Sequence, residues 1–341
     1  MICMRQTNAL FRFVVVLSIF FAFSAHAETS SPSASSAEAQ AWLKKIQSAT
    51  QKLSYSGTFV YQQGNQMRTS RITHLYDGRS ELEKLEILDG KPREYIRNDE
   101  EVVCYVPEAK TMLVEKRIAH DVFPSILAAS AADLAQNYRE KMDVGGRVAG
   151  RDCQAIVLEP RDHYRYGYKL WADKATGLLL KAQTLDDQHD IVEQISFAQV
   201  SIGDIPPARV KSSFTDTSGW HVENAEMSQA KPSGWTVTWL PPGFRKIREV
   251  KRLVSDTPPE GATPAAASSH RVVRQLVFSD GLAAISVFIE PGSQSRTEGS
   301  LQQGATNIIG KRQGDYWITL VGEVPSAALE RVANSIEFKH Q

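Results

Sequence analysis

From Tyr55 onward the chain is cut into short alternating segments, and this constrains its fold more than any other feature. Tyr55, Gly57, Phe59 and Tyr61 alternate with Ser56, Thr58, Val60 and Gln62, the period of a strand with two unlike faces. "QGNQ" turns the chain into residues 67–76, which end at Asp77-Gly78. "LEIL", "REYIR", "VVCYV" and "MLVE" follow, separated by Asp89-Gly90-Lys91-Pro92, Asn98-Asp99-Glu100 and Pro107-Glu108-Ala109-Lys110. These are turn sequences. Connections this short join antiparallel neighbours, because parallel strands need crossovers of about a dozen residues.

A second series, "CQAIVLEP", "HYRYGYKLWAD", "TGLLLKAQTL" and "IVEQISFAQV", extends the meander. In it Tyr164, Tyr166, Tyr168 and Leu170 are expected on one strand face. Residues 37 to about 205 thus read as one long antiparallel sheet. A sheet that long must curl to bury a face, and a curled sheet under a few helices encloses a concave apolar space. The helices expected are "AEAQAWLKKIQSATQKL", with Trp42, Leu43, Ile46, Ala49 and Leu53 on one face, and a segment within 121–141 marked by Phe123, Ile126, Leu127, Leu134 and Tyr138. Gly145-Gly146 is expected to end that segment.

Residues 203–233 carry Pro206-Pro207, Ser212-Ser213, Gly219 and Pro232-Ser233-Gly234, so a boundary is placed there. The expected organisation is a signal peptide (1–27), a large domain (28–205), a linker (206–232) and a small domain (233–341). The small domain opens on "TWLPPGF", whose prolines and glycine set the directions of Trp239 and Phe244. It continues with strands around Asp280-Gly281, the hairpin "ATNIIGKRQGDYWITLVGEVP" and a closing helix "PSAALERVANSIEF" with Leu329, Val332, Ala333 and Ile336 as its buried stripe. The fold class is therefore α+β, mainly antiparallel β, with "SDTPPEGATPAAASS" as a mobile loop.

Arg5 and Arg12 precede the apolar run Phe13–Phe23, followed by Ala25 and Ala27 before Glu28. This is the pattern of a cleaved export signal, since a membrane span takes roughly 20 apolar residues. Cys3 precedes the apolar run, the wrong place for a lipidated first residue. The chain has 39 basic and 39 acidic residues, and losing Arg5 and Arg12 leaves 37 against 39. That balance gives no footprint for nucleic acid. Apolar residues at 42% supply a core. Export leaves two cysteines, Cys104 and Cys153, either bonded to each other or buried separately as thiols. Neither has a second ligand at zinc-like spacing.

No nucleophile elbow, zincin, Walker or C-x-x-C motif occurs in the sequence, and no cofactor or enzymatic activity is expected. "DDQHDIVEQ" reads as a solvated turn rather than a metal site. Arg245, Lys246, Arg248, Lys251 and Arg252 form a basic run, read first as a charged strand edge and second as a site for an anion.

The segments "GRDCQAIVLEPRDHYRYGYKLWADKATGLLLK", "TWLPPGF", "FSDGLAAISVFI" and "YWITLVGEVPSAALERVANSIEF" together resemble the RseB/MucB family of periplasmic regulators of an envelope-stress sigma factor. The resemblance implies an unclosed, half-barrel large domain like LolA and LolB, and a small antiparallel domain with a C-terminal helix. It implies a negative regulator that binds the periplasmic part of a RseA/MucA-type transmembrane anti-sigma factor and shields it from proteolysis. Release would follow binding of lipid, lipopolysaccharide or mislocalised lipoprotein. The rival reading is a LolA-type periplasmic lipid or lipoprotein carrier. On physical grounds the lipid pocket is placed at Phe59, Tyr61, Ile72, Ile87, Tyr95 and Val103. The partner surface is placed at Trp239, Phe244, Arg245 and Arg248. The oligomeric state, a homo-oligomer included, stays open.

Overall fold

The computed structural model describes residues 32–99, 101–116, 131–225, 227–229, 234–255, 270–292 and 296–339. The export signal, Phe123, Ile126, Leu127 and the 256–269 loop lie outside them. Residues 32–341 form one compact unit. No helix among the described residues is long and apolar enough to cross a membrane.

The chain begins with helix α1 (Pro32–Lys52). Six strands follow: β1 (Tyr55–Gln63), β2 (Gln66–Tyr76), β3 (Glu81–Ile87), β4 (Arg93–Asn98), β5 (Glu101–Val106) and β6 (Thr111–Lys116). Helix α2 (Ala131–Asn137) leads to β7 (Tyr138–Val148), β8 (Arg151–Pro160), β9 (Gly167–Asp173), β10 (Leu179–Leu185) and β11 (Ile191–Ile202). After β12 (His221–Ala225) and β13 (Met227–Gln229) come β14 (Trp235–Val237), β15 (Arg245–Ser255), β16 (His270–Ser279) and β17 (Ala284–Pro291). The chain closes with β18 (Gly299–Gln303), β19 (Thr306–Gln313), β20 (Tyr316–Gly322), α3 (Ser326–Asn334) and β21 (Ile336–Phe338).

The large sheet has the order β12-β6-β5-β4-β3-β2-β1-β11-β10-β9-β8-β7. Its ends are not bonded to each other, yet β7 comes into contact with β11, four positions away. The sheet therefore curls without closing. The apolar stripe of α1 (Ala39, Leu43, Ile46) fills the concave side of the β7–β10 half against Tyr138, Ile156, Leu158, Tyr168 and Leu170. The small sheet, β13-β15-β16-β17-β20-β19-β18, is packed by α3 through Ala328, Leu329, Val332 and Ala333.

Four expectations are corrected. Residues 206–225 are not a free linker. A 3-10 turn at Pro207–Val210 rests on β2 and β3. The Ser213 N–H donates to Glu94 at 3.0 Å, and Phe214 and Trp220 pack on Tyr105. β12 then adds to β6 in parallel, while the other pairings of the large sheet among the described residues are antiparallel. The expected closing helix stops at Asn334, because Ile336–Phe338 pairs with Trp235–Val237 and the Ser335 carbonyl accepts from the Thr238 N–H. Ile336 is buried as expected, but from a strand. Gly145-Gly146 does not end the middle segment: it forms a bulge inside β7, where a Cβ at Gly145 would lie 2.2 Å from the Cys153 carbonyl oxygen. Finally, Tyr164 and Tyr166 precede β9 in a loop held by Asp162, whose carboxylate accepts from the Tyr164 N–H at 3.0 Å. They do not share a strand face with Tyr168.

Cys104 and Cys153 are both free thiols. They sit on β5 and β8, eight strands apart in the sheet order.

Candidate functional site

Between the concave face and the small domain lies a cavity of about 330 Å³, at the small end of ligand-pocket sizes. Strands β1–β3 give it Phe59, Tyr61, Arg68, Ser70, Leu85 and Ile87, and β9–β11 give it Tyr168, Ala182, Thr184, Glu193, Gln194 and Ile195. Leu282, Ala305 and Glu323 of the small domain complete it. Strand alternation accounts for the first two walls: Phe59 faces Ser70 across β1 and β2, and Ser70 faces Ile87 across β2 and β3.

Of the six residues expected in a pocket, Phe59, Tyr61 and Ile87 line this one. Ile72 shares their face but is fully buried in the core beneath, among Tyr55, Phe59 and Phe197. Tyr95 continues the row Ile72–Leu85–Tyr95–Cys104 away from the cavity and is 38% exposed. Val103 faces the other way. Its cross-strand partner is Ile96, which pairs with Lys84 on the face covered by residues 207–214. One step along β5 separates Cys104, on the concave side, from Val103.

Two sets of contacts hold the small domain over the cavity. The first is centred on Arg165, whose side chain is wholly buried and lies 2.6 Å from the equally buried Asp280. Arg165 also donates to Asp162 at 3.0 Å and to the Pro242 carbonyl. The rings of Tyr138 and Phe244 flank its guanidinium at 5.5 and 5.7 Å. The other oxygen of Asp280 accepts from the Leu282 and Ala283 N–H groups, so one carboxylate shapes its own turn and receives the large domain's cation. Gly243, at φ +81°, sits so close to Asn137 that a Cβ would fall 2.3 Å from its amide nitrogen. The Pro-Pro-Gly corner is thus a dock for the end of α2.

That placement corrects the partner surface. Phe244 is buried, 8% exposed, between the small-domain core and Arg165, and is not presented to a partner. Trp239 is half-buried, with Tyr164 edge-on at 5.0 Å and Arg331 above it at 4.1 Å. Arg245 is exposed and Arg248 half-buried. Among the described residues, β13 pairs with Val250–Arg252 of β15.

The second set joins two turns. Gln63 Nε2 donates to the Gln303 carbonyl at 3.0 Å, and Gln303 Nε2 to Gln66 Oε1 at 3.1 Å. Glu193 accepts from the Tyr61 hydroxyl, the Ala305 N–H and Gln63. Burial still raises its carboxyl above the ordinary range. Glu323 keeps solvent-exposed surface; crowding by surrounding protein first and the nearby Glu193 second push its carboxyl up from the ordinary range. Neither glutamate nor Arg165 stood out in the sequence. The signals were "SDG" and "VGE-P", which mark the two loops of the small domain that reach the large one.

With the geometry in place, comparison with known proteins decides the family. The MucB/RseB N-terminal domain model matches residues 38–229, and the MucB/RseB C-terminal domain model matches residues 229–337. The chain belongs to the MucB/RseB family. Among MucB/RseB relatives, the sigma factor AlgU regulatory protein MucB of Pseudomonas aeruginosa is 32% identical over 89% of this chain and 92% of its own. The sigma-E factor regulatory protein RseB of Escherichia coli is 24% identical over 87% and 90%. The structure of the Pseudomonas aeruginosa MucA/MucB complex superposes with a TM-score of 0.67 at 29% identity, covering 89% of this chain and all of that one. A MucB/RseB chain is thus a sigma-factor regulatory protein built as an unclosed antiparallel sheet joined to a smaller sheet with a C-terminal helix.

Proposed function

We propose that this chain is an exported, non-catalytic regulator. It binds the periplasmic part of a MucA-type transmembrane anti-sigma factor, shields it from the first protease of a cleavage cascade, and lets go when an acyl chain enters the cavity. The observation that carries this reading is the mixed wall of the cavity: twelve of its residues belong to the curled sheet and three to the small domain. A ligand inside it touches both parts, so its binding energy differs between the closed and loosened junction, which a ligand-driven switch requires. The relative solved with the periplasmic part of MucA supports the choice of partner. A lipid carrier would need only the large sheet, and the roof formed by Leu282, Ala305 and Glu323 favours the regulator. For the partner surface we retain the exposed sides of Trp239 and Arg245, where an acidic segment would find a cation and an aromatic face.

The test mixes residues 28–341 with the periplasmic segment of the cognate anti-sigma factor and the protease that makes the first cut. Protection of the segment, lost on adding a long-chain acyl lipid, is the expected result. Unchanged cleavage in the presence of the protein overturns the reading.

A further inference from the structure

Through Leu282 the small domain enters the core of the large one. Leu282 is 4% exposed and lines the cavity. It packs in the cluster of Leu43, Leu134, Ile156, Tyr168 and Leu170, whose other buried members among the described residues all belong to α1, α2 and β7–β10. The turn that presents it, residues 279–283, is closed on itself. Asp280 Oδ1 accepts from the Leu282 N–H at 3.0 Å and from the Ala283 N–H at 2.9 Å. Ser279 Oγ donates to the Ala283 carbonyl at 2.8 Å and accepts from the Gly281 N–H at 2.8 Å. None of these bonds uses the Leu282 side chain. The leucine and the Asp280 carboxylate are thus two ends of one braced turn.

We infer that Leu282 is the residue that reads the cavity, and that its turn carries the displacement to the Arg165–Asp280 pair. Asp280 Oδ2 accepts from Arg165 Nη1 at 2.6 Å and from the Tyr138 hydroxyl at 3.4 Å. Asp162 holds Arg165 on the large-domain side, at 3.0 and 3.1 Å. Tyr138 packs on Tyr168 with ring centroids 6.1 Å apart, and Tyr168 also lines the cavity. The wall therefore reaches Asp280 by two short routes, and the one through Leu282 belongs to the small domain itself.

A chain that fills the cavity against Leu282 pushes the turn outward. The core around the leucine is close-packed and does not absorb the shift by yielding. The turn is braced and does not absorb it either. Asp280 is drawn off while Asp162 retains Arg165. Two buried charges separate poorly without water, so the junction has two discrete arrangements rather than a graded one. This is the regulation of the proposed acyl site, and its lipid-dependent half rests on that reading. Leu282→Ala adds room to the cavity and leaves every hydrogen bond of the turn in place, so a chain fits without pressing on the turn. Leu282→Met keeps the volume and should keep the response.

Amide exchange at Ala283 in residues 28–341 tests the coupling first without lipid. Leu282→Ala and Arg165→Lys should each lower protection. If both act through one turn, the double variant should fall short of the product of the two effects by about fivefold or more. A double variant equal to that product overturns the inference. The second measurement adds dodecanoic acid, with its binding followed by calorimetry in the same samples. Bound acid should lower Ala283 protection by about tenfold in the unsubstituted protein and in Leu282→Met. Leu282→Ala should still bind the acid, with a change below about twofold. An equal loss in Leu282→Ala, or no loss in the unsubstituted protein with acid bound, overturns the inference. If the unsubstituted protein takes up no acid, the acyl step of the proposed function fails, and the lipid-free cycle still decides the role of Leu282.

Discussion

Arg165 and Asp280, 115 positions apart in sequence, meet at 2.6 Å with neither side chain exposed to solvent. Their pairing joins the loop before β9 to the turn between β16 and β17, and so fixes the small domain to the large one. Removing one member of a buried pair leaves the other charged and unpaired, which costs about 3–5 kcal/mol. Arg165→Met should therefore lower the unfolding free energy in urea by about that amount. Arg165→Lys should recover little, because one ammonium cannot serve Asp162, Asp280 and the Pro242 carbonyl together. A variant within about 0.5 kcal/mol of the parent would show that the pair is not structural.

The turn-to-turn contact predicts a difference between two glycines of nearly equal φ. Gly304, at +56°, would place a Cβ 2.3 Å from Gln63 Cγ and 3.1 Å from the Val192 carbonyl. Gly64, at +58°, has nothing within 4 Å. Gly64→Ala should cost only the left-handed backbone, about 1 kcal/mol. Gly304→Ala should cost more and should also lower amide protection at Ala305. Equal unfolding midpoints for the two variants would mean that the turns do not touch in solution.

Much of the fold was legible because local chemistry decides it. Asp-Gly and Asn-Asp turns set the hairpins of the large sheet, and the stripe Leu43, Ile46 set α1. The misreadings occur where distant residues override local pattern. Tyr164 and Tyr166 alternate like strand residues, but Asp162 and Arg165 hold them in a loop. Residues 206–225 look like a linker, yet the sheet's convex face, with Lys84, Glu94 and Tyr105, gives them a bed. Half of the expected pocket lines the cavity because alternation on β1 is clear in sequence. Val103 failed because nothing local says which of two adjacent apolar residues, Val103 or Cys104, faces inward. The roof residues were invisible, since they reach the cavity only once the small domain docks.

The two thiols give a direct chemical check. Burial raises the Cys104 thiol, which is half-buried beside Tyr95, and raises Cys153 as well. Residues 28–341, purified without reductant, should titrate two thiols in urea. In the native state only Cys104 should react, and slowly, because little thiolate is present at neutral pH. Finding no free thiol in urea would place the two cysteines in a bond, against the free thiols of the structure.

Ser70 offers a way to separate the cavity from the rest of the protein. It is 4% exposed, faces Phe59 across the β1–β2 pair and borders the open space. Ser70→Leu should extend into that space rather than into packed atoms, so its stability cost should stay within about 1 kcal/mol. Phe59→Ala, by contrast, removes a core ring and should cost about 3–5 kcal/mol. With the space taken, uptake of a fluorescent long-chain fatty acid should fall at least tenfold in Ser70→Leu. Val103→Leu, on the covered convex face, should leave uptake unchanged. In the protease assay Ser70→Leu should still protect the anti-sigma segment but should no longer release it when lipid is added. Undiminished lipid uptake by Ser70→Leu would move the acyl site out of this cavity, toward the exposed row of Tyr95, Cys104 and Leu113 on the same face of the sheet.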